Sequence, residues 1–204
     1  MGHPACVEKH TVKRSPLREG MPTVSTGEAV EAYYFSTSAG VTSTDEIWGS
    51  DEAAPYLRSV PCKFDEEEPW SSWIVELPWK MLEDRIREKG KGTVLRSVTV
   101  TRRSESGAAT ALEAVSDKDS CIIENEYEIR KFLAPVNCMI TEKDGTETTG
   151  GSLLPSAYFE LERTQNGNLQ VRGKGYGHGV GMSQTGANEM AKSGKNYQEI
   201  LTFF

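Results

Sequence analysis

From residue 73 onward, hydrophobic positions follow two periods in turn. Trp73-Ile74-Val75-Glu76-Leu77 carries an apolar residue at every second place, the pattern of a strand with one buried face. Residues 79–89 carry Trp79, Leu82 and Ile86 on one helical stripe, and this predicts a helix with Pro78 in its first turn and Gly90 as its stop. Residues 94–102 alternate as a strand, Ser106-Gly107 makes a turn, and residues 109–115 pair back as a hairpin. Residues 120–132 read as a helix and residues 137–141 as a strand ending near the turn signal Asp144-Gly145. Two more strands, 156–163 and 168–174, flank the hairpin signal Gln165-Asn166-Gly167. Residues 182–193 read as a helix, and Asn196-Tyr197 opens a second, short one. Upstream, Val30 to Phe35 is a strand rich in aromatics that feeds the small polar run Ser36-Thr37-Ser38-Ala39-Gly40. Trp48-Gly49-Ser50-Asp51 reads as a turn, and residues 55–60 as an extended segment, because Pro55 biases its neighbour away from helix. Strands with interspersed helices and several hairpins predict an α+β fold, with a mixed, mostly antiparallel sheet and a glycine-rich loop before the C-terminal helix. Residues 1–25 show no periodicity, so the domain is expected to span 26–204.

Composition narrows the function classes. The chain has 204 residues, enough for one well-packed domain with or without a small appendage. A net charge of −7, with basic residues scattered among acids, disfavours nucleic acid as a partner. No apolar run approaches the roughly 18 residues of a membrane span. Residues 1–9 lack the apolar core of a signal peptide, so this chain carries no export address of its own. The run Asp65-Glu66-Glu67-Glu68 reads as a solvated loop. His3, Cys6 and His10 have the residue types of a zinc site, or belong to a loose terminus. Cys6, Cys62, Cys121 and Cys138 allow three disulfide connectivities, among them a Cys121–Cys138 bridge, or buried and free thiols.

The densest chemistry lies in Gly173-Lys174-Gly175-Tyr176-Gly177-His178-Gly179-Val180-Gly181-Met182-Ser183-Gln184-Thr185-Gly186-Ala187, where five glycines occupy alternate positions. Glycine admits positive φ and the close approach of another backbone. A dinucleotide fingerprint needs a βαβ unit around it, and a Walker loop needs a Gly-Lys-Ser/Thr ending; neither is found here. His178, between glycines, either bonds neighbouring backbone or faces a ligand.

The stretch 175–187, the spacing to Tyr197-Gln198-Glu199-Ile200-Leu201, the hydroxyl-rich run after Phe35, Trp48-Gly49 and Pro55-Tyr56-Leu57-Arg58-Ser59-Val60 resemble, in order, the stage II sporulation protein D family. The resemblance implies a cell-wall protein acting on peptidoglycan glycan strands during engulfment, either as a lytic transglycosylase or as an amidase enhancer. In the family's enzymes a glutamate protonates the glycosidic oxygen and the muramoyl hydroxyl closes onto the anomeric carbon, which requires a carboxyl kept protonated near neutral pH. That glutamate lies upstream of the hydroxyl-rich loop, in a Pro-x-x-Trp-Pro and alanine-rich context. None of Glu8, Glu19, Glu28 or Glu31 has that context, so no catalytic residue is assigned and the catalytic segment is expected to lie outside this chain. The alternative is a non-catalytic peptidoglycan-binding or amidase-enhancing module. Substrate-binding candidates by resemblance are Ser36, Thr37, Ser38, Tyr56, Arg58, His178, Ser183 and Gln184. Arg58 meets a sugar oxygen or forms a surface ion pair; Ser36, Thr37 and Ser38 bond sugar hydroxyls or their own turn. Some family members bind zinc through His and Cys. Here Phe35 and Ala39 stand at those places, so no cofactor is expected. The expected partners are glycan strands and other sporulation cell-wall hydrolases. The expected place is outside the cytoplasm, at the cell wall or septal membrane.

Overall fold

A computed structural model describes residues 30–50 and 53–204. In chain order the strands and helices are β1 (Tyr34–Phe35), β2 (Trp73–Leu77), α1 (Trp79–Glu88), β3 (Leu95–Arg103), β4 (Ala109–Ser116), β5 (Ser120–Glu124), α2 (Glu126–Phe132), β6 (Met139–Glu142), β7 (Glu147–Thr149), β8 (Phe159–Arg163), β9 (Leu169–Gly173), β10 (Met182–Ser183), α3 (Gln184–Lys192) and α4 (Tyr197–Phe203). Short 3-10 turns form at Asp45–Trp48 and Pro69–Ser71. The fold is α+β, as the pattern predicts.

The largest sheet runs β7-β6-β2-β9-β8, with every neighbouring pair antiparallel. In β2 the alternation buries Trp73, Val75 and Leu77 and exposes Ile74 and Glu76. These residues share one core with Leu82 and Ile86 of α1, Leu112 of β4 and Ile129 of α2. A second sheet, β3-β4-β5, covers the other side of that core. Non-polar burial drives this arrangement, since each fully buried aliphatic side chain contributes roughly 1.5–3 kcal/mol. A smaller core of Ile47, Leu57, Ala108, Ala157, Tyr158 and Val180 lies beneath the region of β1 and the glycine loop.

Residues 120–132 are not one helix. Ser120–Glu124 instead pairs antiparallel with β4, where Ile123 is buried and Ile122 exposed, a period of two. Asn125 then takes φ 62, which ends the strand, and its side chain accepts Glu128 N–H at 3.0 Å to cap α2. The helix expected over 182–193 starts only at Gln184, because Met182–Ser183 pairs in parallel with β1. Of the strand expected from Val30 to Phe35, Tyr34–Phe35 alone is paired. Pro78 stands just before α1, as its N-cap, instead of within its first turn. Strand β6 begins at Met139, after Asn137 with φ 59. Cys62, Cys121 and Cys138 are all free, so no Cys121–Cys138 bridge forms. Cys6, the His3-Cys6-His10 group and the irregular segment 1–25 lie outside the described residues.

Candidate functional site

The glycine loop leaves β9 and folds back onto the β1 segment. Trp73 anchors its start. Its ring occupies the space a side chain at Gly173 would need, with a Cβ there 2.0 Å from the ring, and its Nε1–H donates to the Gly175 carbonyl at 2.9 Å. Gly175, Gly177, Gly179 and Gly181 then adopt φ of +75°, +117°, +85° and +75°. A Cβ on Gly175 would lie 2.8 Å from Ala39 N and Thr37 O, and one on Gly181 only 2.3 Å from Tyr33 O. The alternating glycines thus let two chain segments touch backbone to backbone. Thr37 and Tyr176 exchange two backbone hydrogen bonds, of 3.1 and 2.8 Å, and Met182 N–H donates to Tyr33 O at 3.0 Å. The N–H groups of Gly175 and Gly177 donate to the Trp70 and Pro155 carbonyls, so they are engaged within the fold and are not turned to an anion.

Asp65 corrects one expectation from sequence. It is the first residue of the acidic run, yet it is 1% exposed and not solvated. Its Oδ2 accepts Ser38 N–H at 3.2 Å and the Cys62 thiol at 3.1 Å. Its Oδ1 accepts the Ser183 hydroxyl at 3.0 Å and the Thr185 hydroxyl. Ser183 is also the N-cap of α3, accepting Gly186 N–H at 3.2 Å. One carboxylate therefore ties the hydroxyl-rich loop, the Cys62 segment and the start of α3 together. Gly186 allows this, since a Cβ there would lie 3.0 Å from Cys62 Sγ and 3.1 Å from Asp65 Oδ2. Burial, helped by the hydrogen bond to Asp65, pushes the Cys62 thiol up to about 12 and keeps it a neutral donor.

His178 lies between aromatic rings, 5.2 Å from Trp48 and 5.8 Å from Phe35, centroid to centroid. Its Nδ1 accepts Val180 N–H at 3.1 Å, so that nitrogen carries no proton. Burial holds its pKa down to about 4; the Arg130 charge adds to this, and a hydrogen bond to the Tyr34 backbone opposes it. Arg130 is itself buried, paired with Glu126 at 2.5 Å, and donates to the Leu154 and Pro155 carbonyls at 2.8 and 3.2 Å. Because Pro155 O also accepts Gly177 N–H at 2.8 Å, this ion pair braces the turn against which the His178 loop rests.

The structure gathers the sequence candidates into two groups. Thr37, Ser38 and Ser183 are buried around Asp65, with Ser36 half-exposed beside them. His178 and Tyr56 belong with Tyr33 and Trp48 in an aromatic patch beside the smaller core. Burial, with the charges of Glu31 and Asp45, raises the Tyr56 phenol. Arg58 and Gln184 stand exposed outside both groups, and the Arg58 contact in the fold is its carbonyl, accepting the Thr42 hydroxyl at 3.1 Å. Sequence reasoning missed Asp65, Trp73 and the pair Trp70–Tyr176, whose rings meet edge to face at 4.7 Å. Nothing in a run of four acids marks its first member as the buried one. The anchor depends on the register that sets Trp73 opposite Gly173, a pairing that only the folded sheet shows.

Beside the Asp65 cluster opens a polar groove of about 390 Å³, lined by Ser38, Ser71, Ser72, Lys143 and Lys174 among others. Phe35 and Ala39 offer no side chain that could ligate a metal. Among the described residues no group of three His, Cys, Asp or Glu side chains could hold a metal ion, and no helix is long and apolar enough to cross a membrane.

A family model described as "Domain of unknown function (DUF8618)" matches residues 62–181, a span from the Cys62–Asp65 corner through the glycine loop. The chain belongs to this family. The chain is also similar to named proteins. Stage II sporulation protein D of Bacillus amyloliquefaciens is 30% identical over 175 residues, 86% of this chain and 43% of that protein. The protein of the same name from Bacillus subtilis (strain 168) is 30% identical over 178 residues, 87% of this chain and 44% of its own length. The amidase enhancer of Bacillus subtilis (strain 168) is 23% identical over 212 residues, 87% of this chain and 29% of its own length. These similarities bear out the resemblance to the stage II sporulation protein D family read from the motifs. The chain spans less than half the length of the curated relatives it matches.

Proposed function

We propose that this chain holds peptidoglycan glycan strands, as part of a sporulation cell-wall protein of the lytic transglycosylase lineage that works outside the cytoplasm. The observation that carries the reading is the docking of the glycine loop onto the hydroxyl-rich loop. It presents an aromatic patch and a polar groove on one pre-organised support, the kind of surface on which sugars are bound by hydroxyls, backbone and ring faces. The names of the relatives supply the cell-wall setting. In this reading the strand runs over Ser36, Tyr56 and the His178 loop, with Arg58 and Gln184 reachable at the edges. Thr37, Ser38 and Ser183 act from beneath, by fixing the loops. Glycan strands are the ligand, with other sporulation hydrolases as companions and no cofactor required. The parent protein cleaves the strand with a glutamate supplied from beyond the described residues.

A second reading, a module that binds wall or enhances an amidase without cleaving, draws on one structural observation. The carboxyls that the fold buries are all engaged. Asp65 accepts four donors, Glu126 pairs with Arg130, and Glu142 accepts the Thr148 hydroxyl at 2.6 Å. Carboxyls committed to donors within the fold are not placed to reach a glycosidic oxygen. Digestion of stem-peptide-free glycan strands by this chain and by its full-length parent, with products read by mass spectrometry, separates the two. Products with 1,6-anhydromuramic ends from the parent alone support the transglycosylase reading. Strand retention with no products from either supports the binding module. Absence of retention by this chain overturns both.

A further inference from the structure

β3 and β8 are each the outermost strand of their sheet. One clasp joins them, where Arg103 at the end of β3 donates to the Phe159 carbonyl at the start of β8 at 2.8 Å and pairs with Glu160 at 3.0 Å. Toward the other end of both strands a separate pocket of about 140 Å³ opens between the sheets. Val98 and Leu169, both buried, and the half-buried Leu161 form its apolar floor, and the exposed Arg96 and Arg163 form its rim. At roughly 30 Å³ per water this is the space of four or five waters, enough for a carboxylate on a short aliphatic stem.

The fold holds both arginines in place without using their charge. The pairing of β3 with β4 shifts register between Leu95 and Ser97, so Arg96 stands in a β-bulge, a device that re-aims a side chain. The backbone just before it is fixed, since Leu95 N–H donates to Glu83 at 3.2 Å and the Leu95 carbonyl accepts Trp79 Nε1–H at 3.0 Å. The Arg163 guanidinium lies over the same Trp79 ring, 3.3 Å from its centroid. A planar cation stacked this way is oriented through its face, and its N–H edge remains open to a ligand. Neither Arg96 nor Arg163 is in an ion pair formed among the described residues. No aspartate or glutamate lines the pocket. The acids around it are engaged elsewhere: Glu160 pairs with Arg103, Glu162 pairs with Arg172, and Glu76 accepts the Asn168 amide at 2.7 Å.

We propose that the pocket between β3 and β8 binds a carboxylate carried on a short aliphatic stem, with the carboxylate between the Arg96 and Arg163 guanidiniums and the stem on Val98, Leu161 and Leu169. Guanidinium forks match the planar carboxylate, and the apolar floor selects what the carboxylate is attached to. Inorganic phosphate meets the forks but leaves the floor unused, and an amide fills the floor but brings no charge. The same chemistry is offered by a free branched-chain acid and by the end of a peptide whose last side chain is aliphatic. A peptide would also find the unpaired outer edges of β3 and β8 beside the pocket. This site stands apart from the glycine loop and does not depend on the glycan reading.

The test is a nuclear magnetic resonance titration of this chain, read at the Trp79 indole N–H, whose signal is the one lost in Trp79→Phe. The probes are isovalerate, isovaleramide, inorganic phosphate, and an N-acetylated tripeptide ending in leucine with a free or an amidated terminus. Isovalerate and the free-ended tripeptide should give saturable shifts, and each amide should bind roughly tenfold or more weakly at low salt, the difference expected for charge-assisted hydrogen bonds. That difference should shrink as salt rises. Arg96→Gln and Arg163→Gln should each weaken the carboxylates by about three- to tenfold and leave the amides unchanged. Both arginines are exposed, so their replacement does not threaten the fold, which thermal melting checks. Tighter binding of the tripeptide than of isovalerate makes a peptide end the ligand, and equal binding makes it the small acid; both support the site. Acid and amide binding alike, phosphate binding as tightly as isovalerate, carboxylate binding that survives both glutamine variants, or no saturable shift with either carboxylate overturns it.

Discussion

Replacing Asp65 tests whether one buried carboxylate organises the site. In Asp65→Ala, Ser38 N–H loses its acceptor in a residue only 1% exposed, which costs about 1–3 kcal/mol. The Ser183 and Thr185 hydroxyls lose a charged acceptor, but both can turn to Ser36 O, at 3.3 and 3.0 Å, so each loss is about 0.5–1.5 kcal/mol. The sum is about 2–6 kcal/mol, a large share of the roughly 5–15 kcal/mol that holds a domain of ordinary stability. Asp65→Asn behaves differently. Its carbonyl can keep Ser38 N–H and its amide can face the two hydroxyls, which reorient to accept, so the loss should be about 1–2 kcal/mol. Urea unfolding, read as a shift in midpoint at constant slope, measures both. An Asp65→Ala protein within about 0.5 kcal/mol of the parent, or an asparagine variant as damaged as the alanine one, would refute this account of the cluster.

The remaining expectations concern the loop, the histidine and the thiols. Gly181→Ala places a Cβ 2.3 Å from Tyr33 O at φ +75°, so it should cost at least about 2 kcal/mol and loosen β1, measured by thermal melting and by hydrogen exchange at Met182. His178 is held down to about 4, below the usual value near 6.5, so between these pH values the unfolded chain binds more protons than the folded one. Stability from this group is therefore fully present above pH 6.5 and lost as pH falls toward 4, by about 3 kcal/mol in all; His178→Gln should flatten that slope in urea titrations run from pH 7 to 4. The Cys62 thiol, pushed up to about 12 and buried, should resist an aromatic disulfide reagent at pH 8 until the protein unfolds, so Cys62→Ser should leave the number of thiols reactive in the native state unchanged.

Local pattern alone determined much of this protein. The alternation in 73–77, the stripe of Leu82 and Ile86, and the hairpins at Gly107 and Gly167 depend on neighbours in sequence, so period and turn chemistry reveal them. The spacing of glycines in 173–181 likewise marked the loop, since positive φ at alternate residues is a local demand. Tertiary structure decided the rest. Residues 120–124 contain the apolar residues of either a helix or a strand, and pairing with β4 chose the strand. Asp65 looks the same as Glu66 and Glu67 in the sequence, and only the arrival of Ser38, Ser183 and Thr185 from distant positions makes its burial affordable, because a buried charge is stable only where donors meet it. The same holds for His178. Its Nδ1 partner is two residues away, but the rings that desolvate it come from Phe35 and Trp48, more than a hundred residues upstream, and no local pattern records that meeting.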